Sequence, residues 1–147
     1  MLTNPYIECY PIPKISMTVP PRTKIAVVDD EEELALLYSE ALDAAGYDTN
    51  VFSNSKLALE KISLNHSHYM MVMSDNRMPG LNGLDLFTQI RLKDDKMKFL
   101  LTSAYPQVSR TNLDFTFLEK PFRISLLLDT VRAILRPDKS NLLVIES

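Results

Sequence analysis

From Lys24 onward, short apolar runs alternate with stretches in which apolar residues recur every three or four positions. Ile25 to Val28 reads as a short buried strand. Leu34, Leu37, Tyr38, Ala41 and Ala45 follow at helical spacing, with Asp30 and Glu33 placed as a capping box and Gly46 as the stop. Tyr47 to Phe52 predicts a second strand, and Ser53 or Asn54 caps a helix carrying Leu57, Ala58 and Ile62 to about His66. "YMMVMSD", Tyr69 to Asp75, is a third and strongly apolar strand, its methionines core filling. "MPGLNG" turns the chain into a helix from about Leu84 to Leu92, with Leu84, Phe87, Ile90 and Arg91 in register. "KFLLTSA" supplies a fourth strand and "DFTFLEK" a fifth. In the last helix Ile124, Leu127, Leu128, Val131, Ile134 and Leu135 share one stripe, closed by Pro137. Strands alternating with helices predict an α/β fold, a doubly wound parallel sheet with helices on both faces.

Composition changes this picture mainly at the ends. Residues 1–23 hold Pro5, Pro11, Pro13, Pro20 and Pro21, out of nine prolines in the chain, and none of its three glycines. Prolines at that spacing remove backbone donors and block both helix and central strand, so 1–23 reads as an extended arm. Tyr6, Ile7, Tyr10 and Ile12 either lie against the domain or a partner or belong to a loosely ordered terminus, and Met17 is an alternative translation start. The domain then spans 24–136 and is followed by a short tail, 137–147, too short to hold a second domain, which predicts a stand-alone module. Sixteen basic against nineteen acidic residues leave a net charge of -3 and no polycationic footprint, which argues against direct nucleic-acid binding. Cys9 is the single cysteine and cannot form an internal disulfide, in keeping with a reducing cytoplasm. No apolar run approaches the roughly 18 residues of a membrane span, and no secretion signal is evident.

Open sheets of this kind bind ligands beyond the carboxyl ends of their strands. Asp29 and Asp30 end strand one, Asp75 strand three, Thr102 and Ser103 strand four, and Lys120 strand five. Like charges about 4 Å apart repel by roughly 4 kcal/mol at an effective dielectric near 20, so converging carboxylates call for a cation. Glu31, Glu32 and Glu33 are explained by the helix they begin, at the positive end of its dipole. A few oxygen ligands suit Mg2+, and a divalent cation, a lysine and a hydroxyl meet the needs of phosphoryl transfer, with one carboxylate as nucleophile. The simpler readings are that Asp75 caps a helix, that Thr102 points into the core, and that His66 and His68 are solvated loop residues.

Four segments together resemble the receiver domain of two-component response regulators: "VVDDE" at Val27 to Glu31, "SDNRMPGLNG" at Ser74 to Gly83, "TSAY" at Thr102 to Tyr105 and "FLEKPF" at Phe117 to Phe122. The resemblance covers about 24–136 and implies a flavodoxin-like strand order 2-1-3-4-5. By position it implies Asp29 and Asp30 as the acidic magnesium pair, Asp75 as phosphoacceptor and further ligand, and Asn76 as a ligand through its backbone carbonyl. It implies Ser103 as the switch hydroxyl, Lys120 as the lysine that contacts the phosphoryl group, and a cis bond to Pro121. Phe117 takes the aromatic switch position, or is simply a core aromatic. The implied partners are a histidine kinase or phosphotransfer protein and an unknown downstream protein. The module would catalyse only its own phosphotransfer and dephosphorylation. A phosphorylation-independent interaction module of the same fold is the alternative; an aspartyl-nucleophile phosphatase is disfavoured because "DNRMP" lacks a second aspartate. One departure stands out: 17 positions separate Ser103 from Lys120, and "PQVSRTNLD" has no apolar stripe. This predicts a short or irregular fourth helix, and a monomer or a dimer of unusual geometry.

Overall fold

The computed structural model describes residues 22–105 and 114–136. The arm before Arg22, the segment 106–113 expected to be a short or irregular helix, and the tail after Arg136 lie outside the described residues. The chain runs β1 (Lys24–Val28), α1 (Glu32–Ala44), β2 (Asp48–Phe52), α2 (Ser55–Leu64), a short 3-10 turn (His66–His68), β3 (Tyr69–Asp75), α3 (Gly83–Lys93), β4 (Lys98–Ser103), β5 (Thr116–Glu119) and α4 (Ile124–Leu135). All strand pairs are parallel and the order is β2-β1-β3-β4-β5, as expected.

Alternation along β1 feeds two cores. Ala26 and Val28 meet α2 and α3 through Ala58, Ile62, Leu86, Phe87 and Ile90. Ile25 and Val27, with Met71 and Met73 of β3, meet α1 and α4 through Ala35, Tyr38, Leu42, Leu127 and Val131. The register aligns the strand ends that matter: Val28 lies opposite Ser74, Asp75 opposite Thr102, and Ser103 opposite Glu119.

Helix boundaries follow local chemistry. The Asn54 and Asn82 side chains accept hydrogen bonds from Leu57 N and Asp85 N, at 2.9 and 2.8 Å, and so open α2 and α3. Gly46, at φ +103°, ends α1 in a conformation that only glycine adopts without strain. The capping box expected of Asp30 and Glu33 does not form. Glu31 occupies the cap position with no side-chain bond, and its backbone N–H is taken instead by Asp29 Oδ1 at 3.0 Å. The buried stripe of α1 is Ala35, Tyr38, Ser39 and Leu42, which leaves Leu36 and Leu37 exposed. Small Ala35 and Ser39 let the helix sit close to the sheet, and Ser39 bonds to the hydroxyl of Thr49 on β2. A polar residue satisfied in this way escapes a search for apolar periodicity.

His66 also departs from the solvated-loop expectation. At the end of the sheet opposite the strand carboxyl ends, its Nδ1 lies 3.0 Å from Asp94 Oδ2, which pairs at 2.7 Å with Arg22 Nη1. Lys96 N donates to Asp94 Oδ1. Burial alone would raise the Asp94 pKa, but the hydrogen bonds from Arg22, His66 and Lys96, with the charge of Arg22, hold it below the ordinary value. A depressed carboxyl contributes stability above its unfolded value near 4, and that contribution is lost as the pH falls through the lower folded value. Asp94→Ala is therefore expected to destabilise the fold by about 2 kcal/mol at neutral pH and by progressively less as the pH falls below the unfolded value near 4, as read by urea unfolding.

Candidate functional site

Parallel strands deliver their last residues to one edge, and the acidic residues there sort by depth. Asp29, just past β1, is 1% exposed, Asp75 at the end of β3 is 8% exposed, and Asp30 faces solvent. One carboxylate oxygen from each lies within 4.8 Å of the others. Lys120, the residue after β5, reaches into the group: its Nζ is 3.0 Å from Asp29 Oδ2 and 3.0 Å from Asp75 Oδ1. Its backbone N–H donates to the Ser103 carbonyl at 2.8 Å, and the following bond to Pro121 is cis. Burial pushes the Asp75 pKa up, and the charges of Asp29 and Asp30 add to this against the opposing hydrogen bond and charge of Lys120. For Lys120, burial works against the charged form, but hydrogen bonds and charge from Asp29 and Asp75 prevail and raise its pKa. The lysine thus stays an ammonium, and burial works against the charged form of Asp75.

These groups open into a cleft of about 410 Å³ lined by Asp30, Glu31, Asp75, Arg77, Ser103, Ala104, Tyr105 and Lys120. A larger hollow of about 810 Å³ runs along the start of α1, but its lining of Glu31, Glu32, Glu33, Leu34 and Leu37 offers no cation or hydroxyl to an anion. Ser103 is buried at the floor of the cleft, its Oγ accepting from Tyr105 N at 3.0 Å. Thr102 points away, its Oγ1 donating to the Ser74 carbonyl at 3.5 Å inside the protein. Phe117 is half-buried against the core shared with α2 and α3.

Asn76 is held on three sides. Its N–H donates to the Thr102 carbonyl at 2.8 Å, its carbonyl accepts from Gly83 N at 2.8 Å, and its Oδ1 accepts from Leu84 N at 3.1 Å. The carbonyl keeps a second lone pair, while the cleft itself is lined by Arg77 and not by Asn76. The sequence reading overlooked Arg77 and Tyr105, although both stand within its quoted segments. The Arg77 guanidinium lies 4.2 Å from the centre of the Tyr105 ring, at the rim of the cleft.

Three convergent carboxylates with no nitrogen or sulfur donor among them suit a small hard cation. Asp30→Ala is expected to weaken Mg2+ binding by about tenfold or more, and Glu32→Gln or Glu33→Gln by far less, in a titration followed by NMR. An equal effect from a glutamate would move the metal onto α1.

The match to known proteins spans the same segment. Residues 25–132 fit the family model of the response regulator receiver domain. The chain is 33% identical over 120 residues to the response regulator ArlR of Staphylococcus saprophyticus, covering 78% of this chain and 53% of that protein. It is 28% identical over 123 residues to sporulation initiation phosphotransferase F of Bacillus subtilis, covering 80% and 97%. The chain spans only about half the length of ArlR and of several other curated relatives it matches. Among solved structures, the response regulator TrrA of Thermotoga maritima in complex with Mg2+ and BeF superposes with a TM-score of 0.67 at 32% identity, over 77% of this chain and 99% of that one. A complex of TrrA with the histidine kinase ThkA matches at TM-score 0.68 and 29% identity, over 78% and 99%. With a family match over most of its length and the matching strand order and site edge, this chain belongs to the response regulator receiver domains.

Proposed function

We propose that the chain accepts a phosphoryl group on Asp75 from a phosphohistidine of a histidine kinase or phosphotransfer protein. A carboxylate oxygen of Asp75 attacks phosphorus in line; the bond from phosphorus to the histidine nitrogen breaks, and the imidazole keeps its electron pair and takes up a proton. An acyl phosphate on Asp75 results. The observation that carries this reading is the position of Lys120 Nζ, 3.0 Å from both Asp29 and Asp75, beside the buried hydroxyl of Ser103. The ammonium moves from the carboxylates to the incoming phosphoryl oxygens, where its charge is most useful. Asp29, Asp30 and Asp75 would hold Mg2+, which supplies neutralising charge and a template for phosphoryl oxygens. Ser103 Oγ would donate to a phosphoryl oxygen, drawing its loop inward and biasing the surface toward a second state, with Phe117 following. The complex of TrrA with its kinase supports a kinase as donor, and the receiver then signals to a downstream protein in the cytoplasm. The chain would act on no substrate beyond its own phosphorylation and dephosphorylation. Borohydride trapping of the acyl phosphate followed by peptide mapping tests the assignment: the label is expected on Asp75 and absent in Asp75→Asn. A label that persists in that variant would place the nucleophile elsewhere.

A further inference from the structure

The connection from β5 to α4, residues 120–123, has no regular structure, yet Lys120 must place its ammonium between two carboxylates on different strands. A long flexible side chain does so reproducibly only if its backbone is fixed. On one side the Lys120 N–H is tied to the Ser103 carbonyl at 2.8 Å. On the other, Phe122 stacks on Tyr38 of α1, with ring centres 5.3 Å apart and planes inclined by 22°. Tyr38 is 5% exposed and lies among Ala35, Leu42 and Leu127, so its ring moves only with α1 itself.

We infer that Tyr38 is a positioning residue for Lys120: its ring braces Phe122 and thereby holds the short connection that carries the ammonium to Asp75. The inference rests on the phosphoacceptor reading above and adds α1 to the parts that build the site. The Tyr38 hydroxyl is pushed up to about 12 by burial, with Lys120 opposing and Asp29, Asp75 and Glu31 adding to the rise. The phenol therefore stays neutral at physiological pH and sets no competing anion beside the lysine. The carboxylates themselves stand at the end of β3 and just past the end of β1, and do not depend on the stack. Loss of the stack should thus disturb Lys120 and spare the metal ligands.

Tyr38→Met removes the ring at similar volume, Tyr38→Phe keeps it, and Phe122→Met breaks the same pair at a half-buried position that tolerates change if Tyr38→Met fails to fold. With acetyl phosphate as donor, both Met variants are expected to lower the maximal rate of phosphorylation about tenfold or more, with Mg2+ affinity kept within about twofold. Tyr38→Phe should stay near wild type, and the double Met variant should be no slower than the slower single one, because the two rings act as a unit. The Lys120 ammonium signal in lysine-labelled NMR should shift in the Met variants and not in Tyr38→Phe. Wild-type rates in Phe122→Met, a Tyr38→Phe variant as slow as Tyr38→Met, or a parallel loss of Mg2+ affinity would each overturn the inference. If the wild-type protein took up no phosphoryl group, the phosphoacceptor reading would fail, and the ammonium signal alone would decide the role of Tyr38.

Discussion

Gly83→Ala is expected to cost about 2–3 kcal/mol of stability and to disturb the site as well. Gly83 is the first residue of α3, packed where β3 ends. A Cβ there would lie 2.5 Å from the Asp75 carbonyl oxygen, 2.6 Å from Leu101 Cδ1 and 2.9 Å from Asn76 Cα. Leu101 is itself fully buried, and the other two contacts are backbone of Asp75, proposed to accept the phosphoryl group and hold the metal, and of its neighbour Asn76. Either α3 retreats, breaking the 2.8 Å bond from Gly83 N to the Asn76 carbonyl, or the end of β3 gives way. Urea unfolding should show the loss, and Asp75 phosphorylation should slow even under conditions where the variant is fully folded. Wild-type stability would mean that α3 shifts without cost, and that Gly83 serves only as a good turn residue.

Lys120→Met should produce the largest functional loss short of removing the phosphoacceptor itself. Removing a single charged donor from a transition state costs about a hundred- to a thousandfold in rate, and phosphorylation by acetyl phosphate should fall by that order. Mg2+ affinity should hold or rise, because the ammonium occupies Asp29 Oδ2 and Asp75 Oδ1, oxygens that a metal also seeks. The Asp75 pKa should rise further, since the hydrogen bond and charge of Lys120 are what oppose its burial. A drop in Mg2+ affinity equal to the drop in rate would point instead to collapse of the whole cluster.

How much of this was legible in the sequence depended on whether the signal was local. β3 is readable from Tyr69 to Asp75 because a continuous apolar run of strand length is closed by a polar end, and the site edge follows because parallel strands all finish there. The amphipathic face of α1 was set too far round, since Ala35 and Ser39 face the sheet while larger Leu36 and Leu37 do not. Pairings between distant positions leave no trace: Arg22 and His66 converge on Asp94 only because the lead into β1, the turn before β3 and the end of α3 meet at one end of the sheet. The close approach of Gly83 to Asp75 and the stack of Tyr38 on Phe122 are likewise products of packing, with no periodicity or motif to announce them.

The central claim, that this receiver takes a phosphoryl group on Asp75 with the help of a divalent cation, is tested most directly by intact-mass spectrometry after mixing with acetyl phosphate. Wild-type protein with Mg2+ is expected to gain the mass of one phosphoryl group, and to gain none when the metal is chelated or when Asp75 is changed to Asn. An unchanged mass with Mg2+, or an equal gain without it, would contradict the account.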